Sequence, residues 1–183
     1  QNMKMKIQFL EKLINLLLDE KVIGICIGRS ENGPRALGHR SIICLPNKNS
    51  QKDRVNKKIK KREWWRPFSP ICIKEDVGEY FDLNIDNPYM LFTSQAYKRT
   101  KELCPAIVHF DNSARVQTIT YNQESFIYNL LLNLKKRGLP PILLNTSFNR
   151  AGEPIVETAE DAYNCFNETE IDNLLIGKTL FSK

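Results

Sequence analysis

Histidine is scarce in this chain: His39 and His109 are the only two among 183 residues. That excludes an H-E-x-x-H helix and any histidine-rich metal centre. No C-x-x-C pair occurs either, and the five cysteines (Cys26, Cys44, Cys72, Cys104, Cys165) are widely spaced and odd in number. All but Cys104 sit among apolar neighbours, which reads as reduced, buried thiols of a cytoplasmic protein and not as a zinc cage or a disulfide framework. No stretch approaches the roughly 20 apolar residues of a membrane-spanning helix. The first twenty residues scatter lysines through their apolar positions and lack a small-residue cleavage site, unlike a signal peptide. Position 1 is Gln and not an initiator Met, which leaves a longer parent polypeptide open.

What is present suffices for one core. Apolar residues make up 42% and charged residues 26%, above what a disordered chain shows. With no repeat, low-complexity tract or linker, residues 1–183 read as a single domain. The net charge of +6 is localised: from Lys48 to Arg66 nine lysines and arginines face only Asp53 and Glu63. So dense a cationic segment suits a solvated helix face, a phosphate-bearing small ligand or a nucleic acid.

Hydrophobic periodicity predicts an α/β domain with a mixed sheet flanked by helices. Leu10, Leu13, Ile14 and Leu17 recur at helical spacing, giving a helix over residues 3–19. A second helix runs through Phe126, Ile127, Leu130, Leu131 and Leu134 and stops at Gly138. Residues 49–61 read as a basic helix, 76–81 as a short helix, and 159–166 as a helix capped by Thr158 and Asp161. Strands are expected at 22–27, 41–45, 69–73, 106–110, 116–120, 142–144 and, last, 173–176.

Three loops stand out, each expected just after an apolar strand, where open α/β sheets bind ligands. The segment 28–41 combines Gly28, Gly33 and Gly38 with Arg29, Arg35 and Arg40. Its guanidinium forks match phosphate or carboxylate, without the G-K-[ST] of a P-loop or a G-x-G-x-x-G fingerprint. Residues 60–70 set cations beside Trp64, Trp65 and Phe68, which suits a stacked base, although aromatics of this kind are expected first as core anchors. Residues 145–154 crowd amides and hydroxyls at a strand end. Physical chemistry alone arrives at an anion-binding α/β domain for a nucleotide.

Taken together the motifs resemble a known family. Gly28-Arg29-x-Glu31-x-Gly33-Pro34-Arg35-Ala36-Leu37-Gly38-His39-Arg40-Ser41, Lys60-x-Arg62-Glu63-x-x-Arg66-Pro67-Phe68-x-Pro70, Ala114-Arg115-Val116-Gln117 and Leu143-Leu144-Asn145-Thr146-Ser147-Phe148-Asn149-x-x-Gly152-Glu153-Pro154 look like the C-terminal domain of carbamoyltransferases of the NodU and antibiotic O-carbamoylation type. The resemblance implies a YrdC-like fold in which a K-x-R motif, here Lys60 and Arg62, and an S-x-N motif, here Ser147 and Asn149, hold ATP. It implies that ATP and carbamoyl phosphate give carbamoyl-adenylate and pyrophosphate. An actin-like ATPase domain that this chain lacks would then pass the carbamoyl group to an acceptor hydroxyl.

On that footing Lys60 and Arg62 are the catalytic candidates, steadying charge at the α-phosphorus. Arg35 and Arg40 take the phosphate or carbamoyl-phosphate end. Asn145, Ser147 and Asn149 join the ligand-binding set, and Arg66 and Arg115 are second-line cations. Mg2+ is expected with ATP, near Ser147, and no metal site is expected on the chain itself. The implied partners are the missing N-terminal domain and a second copy in a homodimer, with no membrane and no nucleic acid. The rival reading is a YrdC-like RNA-binding or tRNA-modification module using the Lys48–Arg66 segment. A third is a degenerate domain that only supports its partner.

Overall fold

Side-chain alternation along the strands sorts the core into two layers. A computed structural model describes the backbone of residues 2–183 and the side chains of residues 8–183. Its strands are β1 (Ile23–Cys26), β2 (Arg40–Cys44), β3 (Ser69–Ile73), β4 (Ser94–Gln95), β5 (Ser113–Ala114), β6 (Gln117–Ile119), β7 (Ile142–Ser147), β8 (Asn173–Ile176) and β9 (Thr179–Ser182). Seven of them form one mixed sheet in the order β6-β3-β7-β2-β1-β8-β9, and β4 pairs with β5 in a separate two-stranded ribbon.

Ile23, Ile25, Ile43, Ile71, Ile73, Leu143 and Leu175 project to one face. There they meet helix α1 (Asn2–Leu18) through Leu13, Ile14 and Leu17, and helix α4 (Ser125–Lys136) through Ile127, Leu130, Leu131 and Leu134. Their neighbours Cys26, Ile42, Cys44, Cys72, Ile142, Leu144 and Leu174 project to the other face. That face is covered by Ala162, Cys165 and Phe166 of α5 (Ala159–Asn167) and by Val55, Ile59 and Phe68. Strands covered on both faces are apolar almost throughout, which is why these read as continuous hydrophobic runs. Helices α2 (Asn49–Arg54) and α3 (Lys98–Leu103) are short.

Several expectations shift. The strand expected at 106–110 is a 3-10 turn, Pro105–Ile107, because Pro105 opens a helical turn and Ala106 N–H donates to the Pro46 carbonyl. The basic helix 49–61 stops being α-helical after Arg54. Asn173–Ile176 is not the last strand: β9 follows it antiparallel. Trp64 and Trp65 are not core anchors, at 62% and 59% exposure, whereas Phe68 is buried. The capping box of Thr158 and Asp161 is present. All five cysteines are buried and unpaired, and burial pushes the thiols of Cys44 and Cys104 up to about 12. Among the described residues no helix is long and apolar enough to cross a membrane.

Gly24, at the middle of β1, is required by close approach. A Cβ there would lie 2.8 Å from Cζ of the fully buried Phe148. Gly24→Ala should therefore cost about 1–3 kcal/mol through overpacking, read as a lowered urea midpoint with unchanged slope. An unshifted midpoint would mean that the ring swings aside freely.

Candidate functional site

The strand pairings bring every candidate loop to one end of the sheet. β1, β7 and β8 finish there, while β2, β3 and β6 begin there. The loop 28–39 joins β1 to β2, Lys60 and Arg62 precede β3, Arg115 precedes β6, and Asn145 to Asn149 close β7.

Helix α2 runs directly into a π-helical turn, Val55–Ile59, that closes with Lys60 N–H donating to the Val55 carbonyl at 2.8 Å. Turns of this type carry one extra residue and recur at functional sites. Lys61 then takes φ +45°, a left-handed conformation that non-glycine residues rarely adopt. Lys60 on one side of this kink is only 5% exposed. Its Nζ donates to the Ser147 carbonyl at 2.7 Å, Ser147 Oγ at 3.1 Å, the Asn149 carbonyl at 3.1 Å and Asn149 Oδ1. Burial, then the neighbouring Arg62 charge, lowers its pKa from the ordinary lysine value to about 7. The K-x-R and S-x-N motifs are thus joined directly, through Lys60. Arg62, half-buried, stacks 4.7 Å above the Phe68 ring and donates from Nε to Asn56 Oδ1 at 2.7 Å. Burial, then the charge of Arg66, lowers its pKa to about 10.

The C-terminal half of the 31–41 loop, residues 36–40, is held by hydrogen bonds to its backbone. Glu31 Oε1 accepts the N–H groups of Leu37, His39 and Arg40 at 2.7, 2.7 and 3.3 Å. Asn145 Nδ2 donates to the Ala36 carbonyl at 2.8 Å, Gln117 Nε2 to the Leu37 carbonyl at 2.8 Å, and Gly38 N–H to Ser41 Oγ at 2.9 Å. Gly38 takes φ +121° against Ile127 of α4, where a side chain would be strained. His39 Nε2 meets Glu124 Oε2 at 2.5 Å, a contact that raises the histidine pKa and lowers that of the carboxylate.

Arg35 rides on this loop, close enough to Arg115 that its charge, after burial, lowers the Arg115 pKa. Arg115 Nε is buried and has no hydrogen-bond partner, and neither guanidinium meets a carboxylate among the described residues. Arg40 serves differently. Its donors reach the carbonyls of Glu157, Ile27, His39 and Gly28 at 3.1, 2.8, 3.1 and 3.3 Å, so it ties the loops together and leaves one Nη2 hydrogen without a partner among the described residues. Asn145 likewise spends its amide nitrogen on the loop, and its Oδ1 is buried without a partner among the described residues. Arg66 is exposed and turned to Glu63 at 2.8 Å, away from the shared acceptors.

Between residues 30–34 and 147–157 lies an open cleft of about 460 Å3, whose walls include Arg40, Ser147 and Asn149. The cationic segment does not form a continuous basic strip beside it. Lys48, Arg54, Lys58 and Arg66 are in ion pairs, and Lys60 is buried. Ser147 Oγ lies 3.1 Å from the Lys60 ammonium, so a divalent cation expected there would face a positive charge. Among the described residues no group of three or more His, Cys, Asp or Glu gathers that could hold a metal. Ser147 therefore does not fit as a magnesium ligand.

Sequence reasoning missed three supports of this site. Asn56 is fully buried, and its side chain holds Arg62 Nε together with the carbonyls of Trp64 and Arg66. Glu31 and Gln117 stand inside recognised motifs, yet nothing in their spacing announces the loop they clamp.

The family model described as Carbamoyltransferase C-terminus matches residues 14–183. Nodulation protein NolNO of Sinorhizobium fredii is 42% identical over 170 residues, which cover 91% of this chain and 25% of that protein. The chain spans between 25% and 36% of the first four curated relatives it matches. Among solved structures, E. coli YciO superposes with a TM-score of 0.61 at 12% identity, covering 96% of this chain and 87% of that one. Full-length HypF in its phosphate- and nucleotide-bound form gives 0.59 at 17% identity, covering 86% of this chain and 19% of that one. At such identities the likeness establishes the fold, which is YrdC-like.

The displaced pKa of Lys60 has a measurable sign. An unfolded lysine titrates near 10.4, so between about 7 and that value the unfolded chain binds more protons than the folded one. This group therefore makes stability climb with pH across that window. Lys60→Met should flatten the climb in urea titrations, and an equally steep rise in the variant would mean that Lys60 titrates as an ordinary lysine.

Proposed function

The chain belongs to the carbamoyltransferase C-terminal family, and from that premise we propose that it activates a carbamoyl group with ATP, as one domain of an O-carbamoyltransferase. The observation that carries the reading is the distribution of charge. Arg54, Arg66, Arg99, Arg137 and Arg150 each meet a carboxylate elsewhere on the protein. Arg35, Arg40, Lys60, Arg62 and Arg115, gathered at one sheet end, meet none among the described residues. Cations held without counter-ions suit a polyanion, and the HypF neighbour, solved in a phosphate- and nucleotide-bound form, supports a nucleotide as that polyanion.

Carbamoyl phosphate gives up its phosphate to water, leaving carbamate and inorganic phosphate. A carbamate oxygen then attacks the α-phosphorus of ATP, the bond to the bridging oxygen breaks, and pyrophosphate departs. No proton need be abstracted from carbamate, so the protein's contribution is positioning and charge stabilisation. Lys60, anchored on Ser147 and Asn149, and Arg62, stacked on Phe68, face the triphosphate. The Arg35–Arg115 pair takes the phosphate of carbamoyl phosphate, and Mg2+ enters on the nucleotide's own phosphates. The acceptor hydroxyl belongs to a second substrate, whose binding this reading leaves to the part of the relatives outside the matched segment.

Pyrophosphate release from Mg-ATP, with and without carbamoyl phosphate, tests the reading. Release should depend on carbamoyl phosphate and fall about 100-fold in Arg62→Ala, the usual loss for one charge-stabilising donor. Release that ignores carbamoyl phosphate, or an unimpaired variant, would overturn it.

A further inference from the structure

One wall of the cleft carries a group of the wrong sign for phosphate. Glu31 lines it together with Ser30, Arg40, Ser147 and Asn149. Its Oε1 is fixed by three backbone N–H groups, which sets the plane and direction of the whole carboxylate. Oε2 is buried and has no donor among the described residues. The other two carboxylates on this wall are occupied: Glu157 accepts from Ser30 Oγ at 2.7 Å, and Glu153 pairs with Arg150. A carboxylate oxygen that is oriented, desolvated and unpaired is an acceptor waiting for a hydrogen. It repels phosphate oxygens and welcomes an uncharged N–H or O–H.

We propose that Glu31 Oε2 accepts a hydrogen bond from an uncharged donor of the bound substrate, so that Glu31 selects the substrate while its other oxygen shapes the loop that carries Arg35. The proposal rests on the carbamoyl-activating reading. Two donors there have this chemistry: the NH2 of the carbamoyl group and a ribose hydroxyl of the nucleotide. Either is neutral, and either would be lost in a close analogue.

Glu31→Gln separates the two oxygens. The amide oxygen can keep the three backbone N–H groups, whereas an NH2 replaces Oε2 and meets the substrate donor head-on. The variant should melt within a few degrees of the parent, while Glu31→Ala, which empties the cradle, should melt clearly lower. Against carbamoyl phosphate and ATP, Glu31→Gln should lose about 10- to 100-fold in kcat/KM for pyrophosphate release, the range for a hydrogen bond to a charged group. Acetyl phosphate and the 2′- and 3′-deoxy forms of ATP assign the donor. The parent should discriminate against one of these analogues by a similar factor, and Glu31→Gln should not. Binding of ATP and of carbamoyl phosphate to both chains, by calorimetry, gives a second readout.

A folded Glu31→Gln with parental rates and affinities overturns the proposal alone. Equal losses with every analogue overturn it too, since Glu31 would then act only through the loop. A parent that binds but releases no pyrophosphate overturns the carbamoyl-activating reading, and a selective loss of affinity in Glu31→Gln still supports the proposal. A parent that binds neither ligand overturns both.

Discussion

A lysine ammonium taken out of water needs compensation, and the end of this sheet is built around providing it. Lys60 has no carboxylate; four oxygens from Ser147 and Asn149 surround it instead. All four are acceptors, so they favour the charged form that burial disfavours. Because two of the four are backbone carbonyls, one on the last residue of β7 and one just beyond it, the lysine also fixes where that strand's exit loop lies. The π-turn, the left-handed Lys61 and the buried Asn56 all hold the segment from which Lys60 and Arg62 depart on different courses. Removing any of these would release the cation and the loop together.

The second constraint is rigidity without charge neutralisation. A loop that carries Arg35 toward Arg115 would ordinarily relax by recruiting a carboxylate or swinging into solvent. Here the stretch that follows Arg35 is pinned, because Glu31, Asn145 and Gln117 occupy amide hydrogens and carbonyls of residues 36–40 and His39 ties it to the start of α4. Three neutral or singly charged side chains therefore do for the loop what β pairing does for a strand. Arg40 completes the arrangement by gathering carbonyls from both flanking loops. Preorganisation of this kind lowers the reorganisation that a bound anion would otherwise demand.

Much of this was legible in the sequence, and what was missed shares a cause. Period-3.6 patterning located α1 and α4, and short continuous apolar runs located the buried strands, since those signals depend on burial alone. The motifs brought Lys60, Ser147 and Asn149 together correctly in order, though not the fact that they bond one another. Asn56, Glu31 and Gln117 were invisible because their importance lies in which backbone atoms they reach, a tertiary property with no local pattern. Asn145 and Arg40 were read as ligand contacts, and the structure adds a supporting role that the sequence does not display: an amide or guanidinium near a strand end looks alike whether it serves a ligand, a carbonyl or both. The aromatics erred the other way. Burial of Phe68 follows from its place at the start of β3, while Trp64 and Trp65 lie on the turn before it, where hydrophobicity alone does not decide exposure.

The same logic bears on how stability and function trade here. Buried and partly buried cations without a carboxylate destabilise the free domain through desolvation and mutual repulsion, as the lowered pKa values of Lys60, Arg62 and Arg115 express. A polyanionic ligand removes both penalties at once, so its binding free energy includes relief of strain already present in the free protein. The stabilisation grows with ligand concentration by mass action, about 2.7 kcal/mol at a hundredfold excess over Kd. Sheet and helices must therefore hold the site without the ligand's help. That explains why the strands behind it are apolar on both faces and why Gly24 gives way to a fully buried Phe148 directly beside Ser147 and Asn149. A looser core would let the cations drift toward solvent and toward the nearest carboxylates, and the site would be lost before the fold was.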